Sequence, residues 1–195
     1  MVYYKIYNRY NMDDLDKFCN IVKNRSEENA KTIKLLYENK LYGNCVSILR
    51  QELDSMVRVL FLLTCEQVKR MMFIKQTLND EKWHDGKRTI TDYLLLKNVL
   101  NMYGWARNVY LFGCSFIHLS ACHNYMQEDP FLKLSIEEYN AIKNFMVQYH
   151  NFPKEQNITF ITIQPYLLKI FEKISDNLKC HLENLNKNPS EINIM

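Results

Sequence analysis

Residues 44–63 read NCVSILRQELDSMVRVLFLL, and Val46, Leu49, Leu53, Met56, Leu60 and Leu63 recur there at alternating spacings of three and four. A helix of 3.6 residues per turn gathers that spacing into one stripe, so the segment predicts a long helix with one face in a core. Elsewhere the period is also helical rather than alternating, and four glycines and four prolines in 195 residues leave little turn chemistry for an all-β fold. The expected class is all-α, a single-domain up-and-down bundle of about seven to eight helices. It would occupy residues 1–195, with 1–10 as a peripheral leader and 188–195 as a peripheral tail.

Capping residues divide the remainder. Asn11 or Asp13 starts a helix running to 23, and Ser26 followed by Glu27 and Glu28 starts a second running to 39. A helix is expected over 66–78, then a charged surface loop, NDEKWHDGKR, over 79–88, with Trp83 folded back onto the bundle. Thr89 or Thr91 opens a helix to Gly104, and 105–125 is expected to be one central helix, apolar nearly all round, closed by Asp129 and Pro130. Ser135 with Glu137 and Glu138 caps a helix to His150, and Pro165 sits in the tolerated first turn of the last one.

A formal charge of +3, with Lys and Arg scattered among Asp and Glu, permits RNA binding without announcing a nucleic-acid face. No apolar run reaches membrane-spanning length, and the first residues have no signal-like core, so the expected setting is cytoplasmic, with no membrane partner. The six cysteines lack a C-x-x-C pair or zinc spacing and are expected to be reduced, with no metal and no cofactor. Phosphate-loop, dinucleotide, zinc-protease and nucleophile-elbow motifs are all missing.

The most suggestive stretch is 115–125, SFIHLSACHNY. On a continuous helix Cys114, His118 and Cys122 share one face, which fits core packing around a hydrogen-bonded histidine better than half of a metal site. Ser120 and His123, three apart, would be neighbours, with His123 either a structural histidine suited to the helix end or a general acid or base held by the hydroxyl. His118 and His123 would point about 140° apart. On the 44–63 helix, Arg50, Asp54 and Arg58 form a charged line beside the apolar stripe. Such i,i+4 pairs usually decorate a solvated face; the alternative, with the line facing the central helix, would let Asp54 orient His123 and Arg50 bind an anion.

ILRQELDSMVRVLFLL, with an arginine followed four residues later by an acid, and the later LSACH resemble a pattern in uncharacterised bacterial helical proteins distantly like the HEPN superfamily (higher eukaryote and prokaryote nucleotide-binding). The resemblance spans roughly residues 44–125. It implies a helical bundle and, as in many members, a metal-independent ribonuclease or RNA-binding effector of a toxin–antitoxin or antiphage system. Position by position it groups Arg50, Asp54, Ser120 and His123 as catalytic, His123 moving the proton and Arg50 stabilising phosphorane charge. The superfamily's usual arginine shortly before a histidine on one helix is missing, and Asp54 stands for the commoner glutamate. The alternative is a non-catalytic interaction or dimerisation module, an antitoxin or regulatory subunit. Expected partners are RNA, another protein or a second copy in a homodimer.

Overall fold

The computed structural model describes residues 2–99 and 103–185, with side chains over 13–97 and 103–185. The chain is all-α, 76% helical, in a single compact helical body. Its helices are α1 (Val2–Glu38), α2 (Tyr42–Thr64), α3 (Gln67–Leu78), α4 (Asp92–Val99), α5 (Ala106–Ile117), α6 (Ile136–His150), α7 (Phe160–Ile163) and α8 (Leu167–Leu185). A 3-10 turn over Gln164–Tyr166 joins α7 directly to α8. Residues 100–102 of the expected helix to Gly104 and the tail after 187 lie outside the described residues, and Tyr103 and Gly104 themselves are not helical.

The centre of the bundle is α2, which packs against α8, α5, α1 and α4. Its predicted stripe is buried along its whole length, from Val46 and Leu49 through Leu53, Met56 and Leu60 to Leu63. Removing such side chains from water is the main favourable term in the fold. The last carbonyls of α2 are satisfied by the buried guanidinium of Arg70, which donates to Leu62, Leu63 and Cys65. Helix ends leave four carbonyls without partners, and here a side chain from the next helix supplies the donors.

Two expected boundaries are corrected. The segments 13–23 and 26–39 are one helix, α1, because nothing in Val2–Glu38 breaks it: the stretch has neither glycine nor proline. The expected leader forms its first turns. Ser26 is therefore no cap; its hydroxyl donates to Glu52, a fully buried carboxylate on α2, whose other oxygen accepts from Asn29 at 3.0 Å. The hydroxyl of Ser175 on α8 lies 3.2 Å from Ser26. Three helices thus meet at one satisfied polar knot, the condition under which a buried carboxylate is tolerated.

The second correction concerns 105–125. The helix α5 stops at Ile117, and His118 is extended, with ψ 146°. A 3-10 turn over Ala121–Asn124 follows, with Ser120 as its N-cap. Hydroxyls end the helix: Ser120 donates to the Ser115 carbonyl at 2.6 Å, and Ser47 of α2 donates to that of Phe116 at 2.8 Å. A serine that satisfies the carbonyls of a final turn competes with continuing the helix.

The 79–88 loop contains a short antiparallel hairpin, β1 (His84–Asp85) and β2 (Arg88–Thr89), turned at Gly86 with φ 61°. Gln76 of α3 holds it by donating to the His84 carbonyl and accepting from the His84 amide. Trp83 folds back as expected: it is buried, stacked on Phe73 with centroids 5.2 Å apart, and its indole donates to Thr77 at 2.8 Å.

Candidate functional site

The charged line of α2 reaches a centre assembled from four elements. Arg50 is buried against α5, its guanidinium carbon 3.1 Å from the centroid of the Tyr110 ring. Its Nε donates to Cys114 Sγ at 3.3 Å, its Nη1 lies 3.7 Å from Asp54, and its Nη2 lies 3.4 Å from Asp92 at the start of α4. Arg58 grips the same two carboxylates, Asp54 at 3.0 Å and Asp92 at 3.4 Å. From α1, Arg25 reaches Asp54 at 3.7 Å and donates to Ser55 at 3.2 Å. The Tyr110 hydroxyl is buried beside Asp92 but outside hydrogen-bonding geometry; burial first, and then the neighbouring carboxylate, hold its pKa above the ordinary phenol range.

Accessibility separates the arginines. The Arg50 side chain is 8% exposed and every edge of its guanidinium is engaged, so it acts as a fixed cation inside the bundle. Arg25 and Arg58, with side chains 42% and 33% exposed, line a cleft of about 480 Å3 between α1, α2 and the hairpin. Phe18, Ile21, Val22, Trp83 and Ile90 are its apolar lining, and Glu81, Lys82 and Asp92 line it as well. The Arg58 guanidinium carbon lies 5.3 Å from the Trp83 ring centroid, within cation–π range.

Of the residues singled out in the sequence, the structure joins Arg50 to Asp54 and, separately, Ser120 to His123. The His123 amide donates to the Ser120 carbonyl at 3.2 Å, and its ring Nε2 donates to the His118 carbonyl at 3.1 Å. His123 is exposed, its ring edge-on to Phe116. Arg50 and His123 share no partner among the described residues. Phe116 lies beside Gly43, whereas Arg50 lies beside Gly113, which puts about two turns of α2, some 10 Å, between the two groups. Cys114 faces Arg50, His118 is exposed beyond the helix, and the described residues contain no cluster of His, Cys, Asp or Glu able to hold a metal ion.

No family model, curated protein or solved structure matches this chain. Arg25 and Asp92 escaped the sequence reading because no spacing links them to α2. The only local sign was that Arg25 precedes Ser26, one turn of α1 away from Asn29, within a helix that had been divided there.

Proposed function

We propose that this protein is a HEPN-like RNA-binding protein in which Arg25 and Arg58 hold the RNA backbone, and that binding rather than cleavage is its basal activity. The observation that carries this reading is the charge of the centre. Three guanidiniums, those of Arg25, Arg50 and Arg58, meet two carboxylates, those of Asp54 and Asp92. One positive charge is left over, and the two arginines that open onto the cleft present it. A guanidinium held by a carboxylate is pre-oriented for a second anion, and arginine suits phosphate through its planar fork of donors. The resemblance to HEPN proteins supplies RNA as the anion, in the setting of a toxin–antitoxin or antiphage effector. The distance of His123 from this centre favours binding, since a proton-transfer group must reach the reacting atoms.

The test is fluorescence anisotropy of a labelled single-stranded RNA at rising salt, with the Arg25→Gln/Arg58→Gln variant beside the native chain. The expected result is a salt-dependent affinity that falls by roughly tenfold or more in the variant, with a shallower salt slope because fewer counterions are released. An absence of RNA binding at low salt overturns the reading. Cleavage of RNA in EDTA, lost in a folded His123→Ala variant, would replace it with the ribonuclease one.

A second reading, a partner-binding or dimerisation module, is favoured by the apolar side chains exposed after α5. Leu119 is 97% exposed, Met126 82%, Leu132 79%, Ile136 80% and Ile161 73%. Large apolar side chains concentrated in one part of the chain are the usual material of protein interfaces. Sedimentation of the purified chain, compared with Leu119→Ser/Met126→Ser, would show a dimer that dissociates in the variant.

A further inference from the structure

Leu119, Met126, Leu132, Ile136 and Ile161 are all exposed, and the rings they adjoin place them in one region of the surface. Phe116 stacks on Phe160 with centroids 5.3 Å apart, Tyr125 packs on Phe160 at 4.7 Å, and Phe112, one turn before Phe116, meets Phe131 at 4.9 Å. Asp129 ties this row together, its Oδ1 accepting from the amides of both Phe131 and Phe160. Met126, Leu132 and Ile161 each directly follow one of these rings in the chain, and Leu119 follows Phe116 by three. Ile136 opens α6, whose Tyr139 lies edge-on to Phe131. We infer that this face docks on the same face of a second copy of the chain, in a two-fold symmetric dimer. This rests on the partner-binding reading, not on the RNA one, and names the partner.

Area and charge select this occupant. At roughly 100 Å2 of apolar surface for a fully exposed side chain of this size, the five present on the order of 400 Å2. A stable dimer of ordinary size buries about 800 Å2 on each partner, a little over half of it apolar, so this face supplies nearly all of that apolar share. From Ile117 to Gln127 the chain carries no Asp, Glu, Lys or Arg, and depletion of charge is the mark of an interface core. Where charge begins, Glu128 and Lys133 pair with each other at 2.9 Å, so the face does not repel its own copy. A nucleic acid or an anionic membrane would call for free cations, and Lys133, the one Lys or Arg between Ile117 and Ile136, is engaged. A different protein is ordinarily oriented by complementary charge, which this face does not offer. A second copy needs only the apolar surface already present, and two-fold dimers are by far the commonest soluble oligomers. Tyr125 meets Gly43 at the start of α2, whereas the cleft lies beside Arg58, some 20 Å farther along that helix, so the two surfaces are separate.

The experiment is sedimentation velocity of the full chain over a roughly hundredfold range of concentration, at low salt and at about 1 M salt. Leu119→Lys and Ile161→Lys are compared with Val68→Lys, an exposed position on α3 outside the face; none of the three removes a core side chain, and thermal melting checks that each is folded. The native chain is expected to pass from monomer to dimer as concentration rises, and the dimer should persist at high salt because apolar burial is not screened. Leu119→Lys and Ile161→Lys each bring two like charges into the interface, one from each copy, and should weaken dimerisation by roughly tenfold or more, while Val68→Lys leaves it unchanged. A native chain that stays monomeric throughout, or a dimer that survives both substitutions in the face, overturns the inference. If the chain is monomeric, the immobilised native protein is compared with immobilised Leu119→Lys in a cell lysate. A protein held by the first and not by the second would leave the partner-binding reading standing with a different partner, and no such protein would overturn that reading as well.

Discussion

Gly113 sits where α5 comes against Arg50. A Cβ at this position would lie 2.8 Å from Arg50 Cβ and 3.2 Å from its Cδ. Replacing a helical glycine by alanine ordinarily gains about 1 kcal/mol from backbone entropy. Here the crowded atom is a Cβ, which moves only with the backbone of α2, so overpacking outweighs that gain. Gly113→Ala is expected to destabilise the protein by about 1–2 kcal/mol in urea denaturation. The arginines divide by the same reasoning. Arg50→Met removes a buried cation whose carboxylates both keep Arg58, and Asp54 also Arg25, so it should cost about 1–2 kcal/mol, the loss of charge-assisted hydrogen bonds without a stranded buried charge. Arg25→Gln/Arg58→Gln removes half-exposed groups and should cost less than about 1 kcal/mol while weakening RNA binding. Denaturation midpoints and RNA affinity measured on the same variants separate the two roles. The sequence shows that Arg50, Asp54 and Arg58 share a helix face, but not that Arg50 alone is sealed by Tyr110 and Gly113, because that depends on a helix more than fifty residues away.

Among the helices, those with local signals were legible. Ser135 with Glu138 forms a reciprocal capping box at the start of α6, and the stripe of α2 is the buried one. Ser26 and Ser120 show why local signals can mislead. Both are serines before a helical pattern, yet one lies inside α1 and serves the knot around Glu52, while the other does cap, but a short 3-10 turn that was read as the middle of a longer helix. The break after Ile117 has neither glycine nor proline to mark it, and one of the hydroxyls that end the helix, that of Ser47, comes from α2. Ser120 is thus a terminating group. Ser120→Ala removes the hydroxyl that donates to Ser115 and accepts from Cys122, and should cost about 1 kcal/mol, in the range of an N-cap loss. RNA affinity should stay unchanged if Arg25 and Arg58 carry binding, whereas a loss of affinity without loss of stability would return Ser120 to the functional group.

At the scale of the whole molecule, helical periodicity specifies an all-α bundle, but the cleft depends on how α1, α2 and the hairpin assemble, and no periodicity encodes that assembly. The same packing sets how stability responds to pH. His150 is the last residue of α6, where a cation would ordinarily suit the helix dipole. It is instead buried against Phe145, its Nε2 without a hydrogen-bond partner, and burial first, then Lys173 and Lys169 of α8, lower its pKa from 6.5 to about 4. Above pH 6.5 the imidazole is neutral in both the folded and unfolded chains. Between 6.5 and about 4 the unfolded chain takes up a proton that the folded protein does not, so stability falls as pH falls, by up to about 1.4 kcal/mol per pH unit. Burial also lowers the pKa of His181, which adds to the slope in the same direction. His150→Leu removes the ionisable group and keeps the site apolar. Denaturation at pH 7 and pH 4.5 should show the native chain losing about 2 kcal/mol more than the variant between the two pH values. The lowered pKa of His181 remains in the variant, and identical losses in both proteins would mean that His150 is protonated within the fold, its positive charge accommodated beside Lys169 and Lys173.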